Sequence, residues 1–315
     1  MDGSEKIPVL VVFGPTAVGK TRVAEKLFTG NGPFSGLVEI ISADSMQVYR
    51  GMDIGTAKPD HRFLSVLPHH GINLRNPNQQ FSAGDFVFEA DASCRDIVSR
   101  GKLPVLLGGT GFYIKNFLLG MPQTPPSNPE KREALKKRIQ VEGSQRLMDY
   151  LRSVDPVSAG RIHQNDEYRI VRALEVYETS GKPVSSFSLS CSFRTGYRFL
   201  TVVLERTREE LYARISERVD QMFELGLTDE FLSLYRAGYT AEDPGMQAIG
   251  YREFFCFDPL GSSLERVRNM ISHSTKRYAK RQETYVRAIP TIHRVRADDI
   301  SSLEQLYEEF LNTKE

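Results

Sequence analysis

Val9-Leu10-Val11-Val12-Phe13-Gly14-Pro15-Thr16-Ala17-Val18-Gly19-Lys20-Thr21 is the stretch on which the fold turns. Residues 7–13 are an apolar, β-branched run stopped by Gly14-Pro15, the pattern of a strand buried on both faces. Residues 14–21 then match G-x-x-x-x-G-K-[ST] without a mismatch. Four fixed positions match by chance in on the order of one chain in a hundred at average residue use, so the flanks must decide. They do: a strand precedes the motif, and Val23, Ala24, Leu27 and Phe28 follow at helical spacing. Strand, glycine loop and helix in that order make a phosphate-binding loop. Its glycines let successive N–H groups turn inward, and the helix N-terminus adds partial positive charge. Lys20 adds a mobile cation, and the Thr21 hydroxyl can bind magnesium or a phosphate oxygen.

The pattern outward from this loop is alternating. Leu37 to Ile41 reads as a second strand and Leu103 to Leu107 as a third, closed by Gly108-Gly109-Thr110-Gly111. Between them Ser82 and Asp85 have capping-box spacing ahead of a helix with Phe86, Ala90 and Ile97 on one side, ended by Gly101. Buried strands alternating with helices predict a parallel sheet. The texture changes at 121–129, which holds four of the chain's 16 prolines and reads as a linker. Two basic amphipathic helices are expected beyond it, over 130–153 and 166–179, with a strand resuming at 199–204. The remainder is mostly helical, with breaks at Gly238, Pro244-Gly245 and Pro290. The expected fold class is α/β: a P-loop-containing core with a parallel sheet flanked by helices, plus an all-helical insertion domain. The divisions are 1–116 for the first part of the core, 117–198 for the insertion and 199–315 for the core's continuation.

Composition excludes several classes. Of 315 residues, 40% are hydrophobic and 26% charged, which is ordinary globular usage. No apolar run approaches the ~20 residues of a membrane helix. Residues 1–6 lack a basic region, so no signal peptide is expected. Three scattered cysteines without a CxxC argue against a disulfide framework or a zinc site and for a reducing cytosol. Basic and acidic residues nearly cancel, 41 against 40, so only local clustering can point to nucleic acid. Such a cluster lies from Arg266 to Arg296, with nine Lys/Arg and one acid, Glu283. There Lys276/Lys280 and Arg277/Arg281 are i, i+4 pairs, two basic rows on one helix suited to phosphates or to plain solvation.

The loop alone does not say which phosphate is bound. Nucleotide triphosphatases of this class usually carry an Asp at the end of an apolar strand to hold magnesium. Val105-Leu106-Leu107 ends in glycines instead. The first acid after the second strand is Asp44, which at the carboxyl ends of the strands can hold a metal, take a proton from a nucleophile or cap a turn. A small-molecule kinase or ATPase is the alternative reading, and a non-catalytic RNA-binding protein is a second one.

Several blocks together resemble the tRNA dimethylallyltransferase (tRNA isopentenyltransferase) family, of bacterial type, over nearly the whole chain. They are the loop at 14–21, Asp44 to Pro59 (DSMQVYRGMDIGTAKP), Pro68-His69-His70, Gly108 to Ile114 (GGTGFYI), Asn165 to Tyr177 (NDEYRIVRALEVY), Ser180 to Pro183 (SGKP), Ile249 to Arg252 (IGYR) and Thr275 to Gln282 (TKRYAKRQ). The resemblance implies transfer of a dimethylallyl group from dimethylallyl diphosphate to the exocyclic N6 amine of the adenosine just 3′ of the anticodon, with diphosphate released. It implies that Gly14, Thr16, Ala17, Val18, Gly19, Lys20 and Thr21 cradle a diphosphate, that Arg218 clamps it, and that Mg²⁺ is the cofactor, with Thr21 as a candidate ligand. Asp44 is implied as the base for the amine and Thr110 as its neighbour at the reacting centre. Implied tRNA contacts are Asp44, Ser45, Met46, Gln47, Thr110, Arg132, Tyr168, Arg169, Arg172, Gln247, Gly250, Tyr251, Arg252, Lys280, Arg281, Gln282 and Arg287. The partners are then the tRNA anticodon stem-loop and dimethylallyl diphosphate, with no membrane, in a cytoplasmic monomer. His69 and His70 follow a proline without metal-ligand spacing and read as structural. Two positions depart from the family pattern. Tyr285 stands where tryptophan is common, and Asn73 where Asp is common.

Overall fold

The computed structural model describes residues 6–187, 192–256, 263–287, 289 and 292–313. The expected break at Pro290, together with Cys191, lies outside these. Two compact units are present, 1–119 with 192–315, and 120–191.

In the first unit the order is β1 (Ile7–Phe13), α1 (Lys20–Phe28), β2 (Val38–Ala43), α2 (His61–Val66), β3 (His69–His70), α3 (Ala83–Ser99), β4 (Leu103–Gly108) and α4 (Gly111–Leu119). The second unit is helical: α5 (Pro129–Glu142), α6 (Ser144–Val154), α7 (Pro156–Ala159) and α8 (Glu167–Ser180). The first unit then resumes with β5 (Tyr197–Glu205), α9 (Arg208–Glu224), α10 (Leu227–Arg236), α11 (Leu264–Val286), β6 (His293–Arg296) and α12 (Ile300–Asn312).

The described strands form one sheet in the order β3-β2-β4-β1-β5-β6, with every pairing parallel. Alternation along β1 builds two cores. Leu10 and Val12 pack with α1, α9 and α12 residues such as Leu27, Ile215 and Tyr307. Val9, Val11 and Phe13 pack on the other side with α3 and α4 residues such as Phe86, Ile97 and Phe117. The Ser82–Asp85 capping box forms as expected. Beside β2, Glu39 is buried with Arg100, His70 and Lys102 around it. The Arg100 guanidinium foremost, and then His70 and Lys102, hold its carboxyl at about 2. His70 is thus a structural partner, and His69 Nδ1 lies 2.7 Å from the Leu67 carbonyl.

Register places the chemistry. Phe13 and Ala43 both pair with Gly108, and Phe13 also pairs with Val203. Gly14, Asp44 and Gly109 therefore leave the sheet at one level, at the carboxyl ends where open α/β sheets bind ligands. Close approach demands glycine there: a Cβ on Gly108 would stand 2.2 Å from the Ala43 carbonyl oxygen.

The second unit runs 120–191, narrower than the expected 117–198. Phe117 and Leu118 are fully buried in the sheet's core, and Tyr197 already begins β5, so both ends belong to the first unit. The chain leaves and re-enters at one point, where the Arg194 N–H donates to the Leu118 carbonyl at 3.0 Å. The single helix expected over 130–153 is two, broken at Gly143, whose φ of +84° favours glycine. Leu135, Ile139, Leu147, Leu151, Ile170 and Leu174 make this unit's own core.

Candidate active site

The phosphate loop starts from Gly14 at the end of β1. Ala17 (φ +63°) and Gly19 (φ +114°) turn it, and Gly19 begins α1 without a side-chain cap. The first amides of α1 thus have no partner from the helix and point out of its N-terminus. Lys20 folds back along the loop, donating to the carbonyls of Gly14 at 2.9 Å and Pro15 at 3.0 Å. Three arginines reach the loop. Arg206 Nε donates to the Val18 carbonyl and Arg214 Nε to the Ala17 carbonyl, both at 2.8 Å, and Arg218 Nη1 lies 3.5 Å from Thr16 Oγ1. Arg214 and Arg218 are one turn apart on α9, beside the apolar row of Leu211, Ile215 and Val219 that packs it. Burial pushes the Lys20 ammonium down to about 8, with Arg218 adding to the fall and Asp44 opposing it. Burial likewise lowers Arg218 from its ordinary value, with Asp44 again opposing.

Asp44 lies just past β2 and closes an Asx turn, its Oδ1 accepting from Met46 N–H at 2.9 Å and Gln47 N–H at 3.4 Å. Thr110, just past β4, accepts the Ser45 N–H at 3.0 Å, which ties the two strand ends together. Loop, strand ends, α9 and α11 line one cavity of about 590 Å³, which includes Thr16, Lys20, Thr21, Asp44, Arg218, Tyr278 and Gln282. Tyr278 contacts Thr110 and Gln282, and burial, followed by the charge of Asp44, pushes its phenol up to about 12.

Residues 55–57 form another part of the cavity wall, steadied by Glu230 of α10. Its carboxylate accepts the N–H groups of Asp53 (2.9 Å), Ile54 (2.8 Å) and Gly55 (3.1 Å), and the Tyr251 hydroxyl donates to it at 2.6 Å. Replacing Glu230 by alanine strips four donors of their acceptor. The expected cost is about 2 kcal/mol, read as a lowered denaturant midpoint, together with a raised KM as the wall loosens.

The structure brings together most of the residues implied for chemistry: the loop from Gly14 to Thr21, Asp44 to Gln47, Arg218, Gln247, Gly250, Arg252, Arg281 and Gln282 border or line this cavity, with Thr110 bonded to Ser45 at its rim. The Tyr251 side chain is fully buried beneath Gly55 and donates to Glu230, so it braces the turn at 53–55. Gln282 is buried too, with both ends of its amide engaged inside the protein. Lys280, Arg281 and Arg287 are exposed on α11 and its C-cap. In the second unit Arg132 lies 5.0 Å from the Tyr168 ring, Arg169 pairs with Asp166, and Arg172 pairs with buried Glu175 and donates to the Pro125 carbonyl. Tyr168 and Arg169 are exposed there. Arg206, Arg214, Glu230 and Tyr278 escaped the sequence reading. Arg214 carried a signal in its i, i+4 spacing from Arg218, and Tyr278 in lying within the block Thr275 to Gln282.

The departures from the family pattern find local accounts. Asn73 sits at φ +55°, which asparagine tolerates better than most residues, and its Oδ1 accepts from buried Lys58 Nζ at 2.7 Å. The Tyr285 ring covers Gly111, where a Cβ would come within 2.7 Å of its own Cβ.

A family model described as IPP transferase matches residues 47–289. The chain belongs to the IPP transferase family. Among relatives of the family, it is 43% identical over 286 residues to tRNA dimethylallyltransferase 2 of Geotalea uraniireducens, covering 90% of this chain and 91% of that one. It is 41% identical over 288 residues to tRNA dimethylallyltransferase of Geobacter sulfurreducens, covering 91% of each. The full-length tRNA isopentenylpyrophosphate transferase of Bacillus halodurans is similar in structure, with a TM-score of 0.65, 35% identity, and 97% of this chain and 95% of that one covered. A eukaryotic dimethylallyltransferase captured acting on tRNA aligns with a TM-score of 0.75 and 27% identity, covering 96% of this chain and 77% of that one. The family match accounts for an otherwise odd combination, a phosphate loop beside a strand end that carries glycines where a nucleotide triphosphatase has its magnesium-binding Asp.

Proposed function

We propose that this protein transfers the dimethylallyl group of dimethylallyl diphosphate to tRNA, at the N6 amine of the adenosine 3′-adjacent to the anticodon. The observation that carries the reading is a cavity in which a phosphate loop, the basic side chains of Lys20 and Arg218, and the carboxylate of Asp44 come together. At about 590 Å³ it has room for a five-carbon diphosphate and an inserted base.

The bond between the allylic carbon and the diphosphate oxygen breaks, and negative charge grows on the leaving group. The α1 amides, Lys20 and Arg218 stabilise that charge where it develops. The N6 lone pair attacks the carbon, and Asp44 accepts the N6 proton as the new C–N bond forms. Thr110 orients this acceptor side through its bond to Ser45. Among the described residues no cluster of three His, Cys, Asp or Glu side chains forms a metal cage. The hydroxyl and carboxylate oxygens of Thr21 and Asp44 nonetheless suit magnesium, which commonly takes one or two protein oxygens and fills its shell with water and substrate phosphate. Thr21 would hold the ion beside the diphosphate, and when bound it supplies positive charge to the departing oxygens.

The target base must leave its stack to enter the cavity. Ser45, Met46, Gln47, Gln247, Gly250, Arg252 and Arg281 surround it there, while Lys280 and Arg287 meet phosphates. Arg132, Tyr168, Arg169 and Arg172 give the second unit a basic, aromatic surface suited to the anticodon stem. A monomer in the cytoplasm suffices for this chemistry; among the described residues no helix is long and apolar enough to cross a membrane. Purified protein with magnesium, dimethylallyl diphosphate and an anticodon stem-loop is expected to add one dimethylallyl mass to one adenosine. Unmodified RNA, or label moved from ATP to a small molecule, would overturn the reading.

A further inference from the structure

Gln282 sits on α11 with its side chain 5% exposed and no free hydrogen-bonding end. Its Oε1 accepts the Thr16 N–H at 2.9 Å, and its Nε2 donates to the Gly109 carbonyl at 2.7 Å. Those partners dictate the orientation of the amide, since an N–H needs the oxygen and a carbonyl needs the nitrogen. Thr16 belongs to the loop that would cradle the diphosphate. Gly109 precedes Thr110, which holds Ser45 beside Asp44. One side chain therefore spans the donor half and the acceptor half of the cavity. Tyr278, one turn earlier on α11, touches both Gln282 and Thr110 and closes the network. The fit is tight, because a Cβ on Gly109 would stand 2.4 Å from Gln282 Nε2.

We propose that Gln282 is a positioning residue that sets the separation between the diphosphate loop and the Thr110–Asp44 side, and is not itself an RNA contact. The inference rests on the prenyl-transfer reading above. Transfer between two substrates depends on the gap between reacting atoms, and misplacement near 1 Å costs on the order of 100-fold. A side chain bonded to both walls fixes that gap before either substrate arrives. Because the same helix presents Lys280 and Arg281 outward, RNA seated on its exposed face and the spacing inside share one rigid element.

The test is a pair of variants in the full chain. Gln282→Met keeps the length and loses both bonds; Gln282→Glu keeps the bond from Thr16 and loses the donation to Gly109. Both are expected to lower kcat roughly 10- to 100-fold, with tRNA affinity by filter binding close to wild type; the thermal midpoint falls with the lost buried bonds, so kcat is read well below it. Loss of tRNA affinity with kcat intact would make Gln282 a direct RNA contact and overturn the inference. A fall in the thermal midpoint with normal kcat would reduce it to fold support and overturn it equally. A wild-type protein inactive in the same assay would count instead against the prenyl-transfer reading.

Discussion

Asp44→Asn is expected to lower prenyl transfer by 10²–10⁴-fold, the usual range for losing a positioned general base, while tRNA binding stays near wild type. Asparagine is the informative choice. It keeps an Oδ1 to accept from Met46 and Gln47, so the Asx turn that shapes the strand end survives. What disappears is the capacity to take the N6 proton. Alanine would remove turn and base together and blur the result. Single-turnover rates with saturating RNA and diphosphate measure the step directly. A loss confined to tRNA affinity, with the single-turnover rate preserved, would assign Asp44 to binding alone.

Lys20→Met is expected to lower kcat/KM by 10²–10³-fold, the range for removing one preorganised charge-stabilising group, and to leave the protein at least as stable as the parent. The two effects share one cause. Burial holds the ammonium at about 8 in the free protein, so its charged form is disfavoured by the fold and kept for the ligand. The pH dependence has opposite signs for the two properties. Between about 8 and the ordinary lysine value of 10.5 the unfolded chain binds the extra proton, so stability rises with pH across that window. Over the same window the free protein loses its cation, so affinity for a diphosphate falls as pH rises through about 8. Chemical unfolding and inorganic diphosphate binding at pH 7 and pH 9.5 would show the crossing trends, and Lys20→Met would flatten this contribution to both.

How far the molecule could be read in advance varied with how local each signal was. The strand, loop and helix at 7–28 declare themselves because one apolar run, one glycine pattern and one helical stripe are contiguous. Asp44 stood out as the first acid beyond the second strand, where a parallel sheet collects its ligands, while its role as base and the place of Thr110 came only from the family resemblance. β3 and β6 were not legible. His69-His70 is a two-residue strand, and His293–Arg296 buries only Val295, so neither offers a period to detect. The break at Gly143 was hidden because charged helix formers flank it on both sides. Gln282 and Glu230 act across the fold, on Thr16 and on residues 53–55, and no spacing within the chain announces such a partner. Family resemblance placed Gln282 among the RNA contacts, and burial gives the reason to assign it otherwise.

The peptide contact between Arg194 and Leu118, where the polypeptide exits toward the second unit and comes back, has an evolutionary side. A module tethered through adjoining points can be traded, lengthened or trimmed without shifting any strand's register. Under the proposed function, the tRNA contacts that the second unit makes can therefore drift in sequence while the reaction chemistry of the first stays under separate selection.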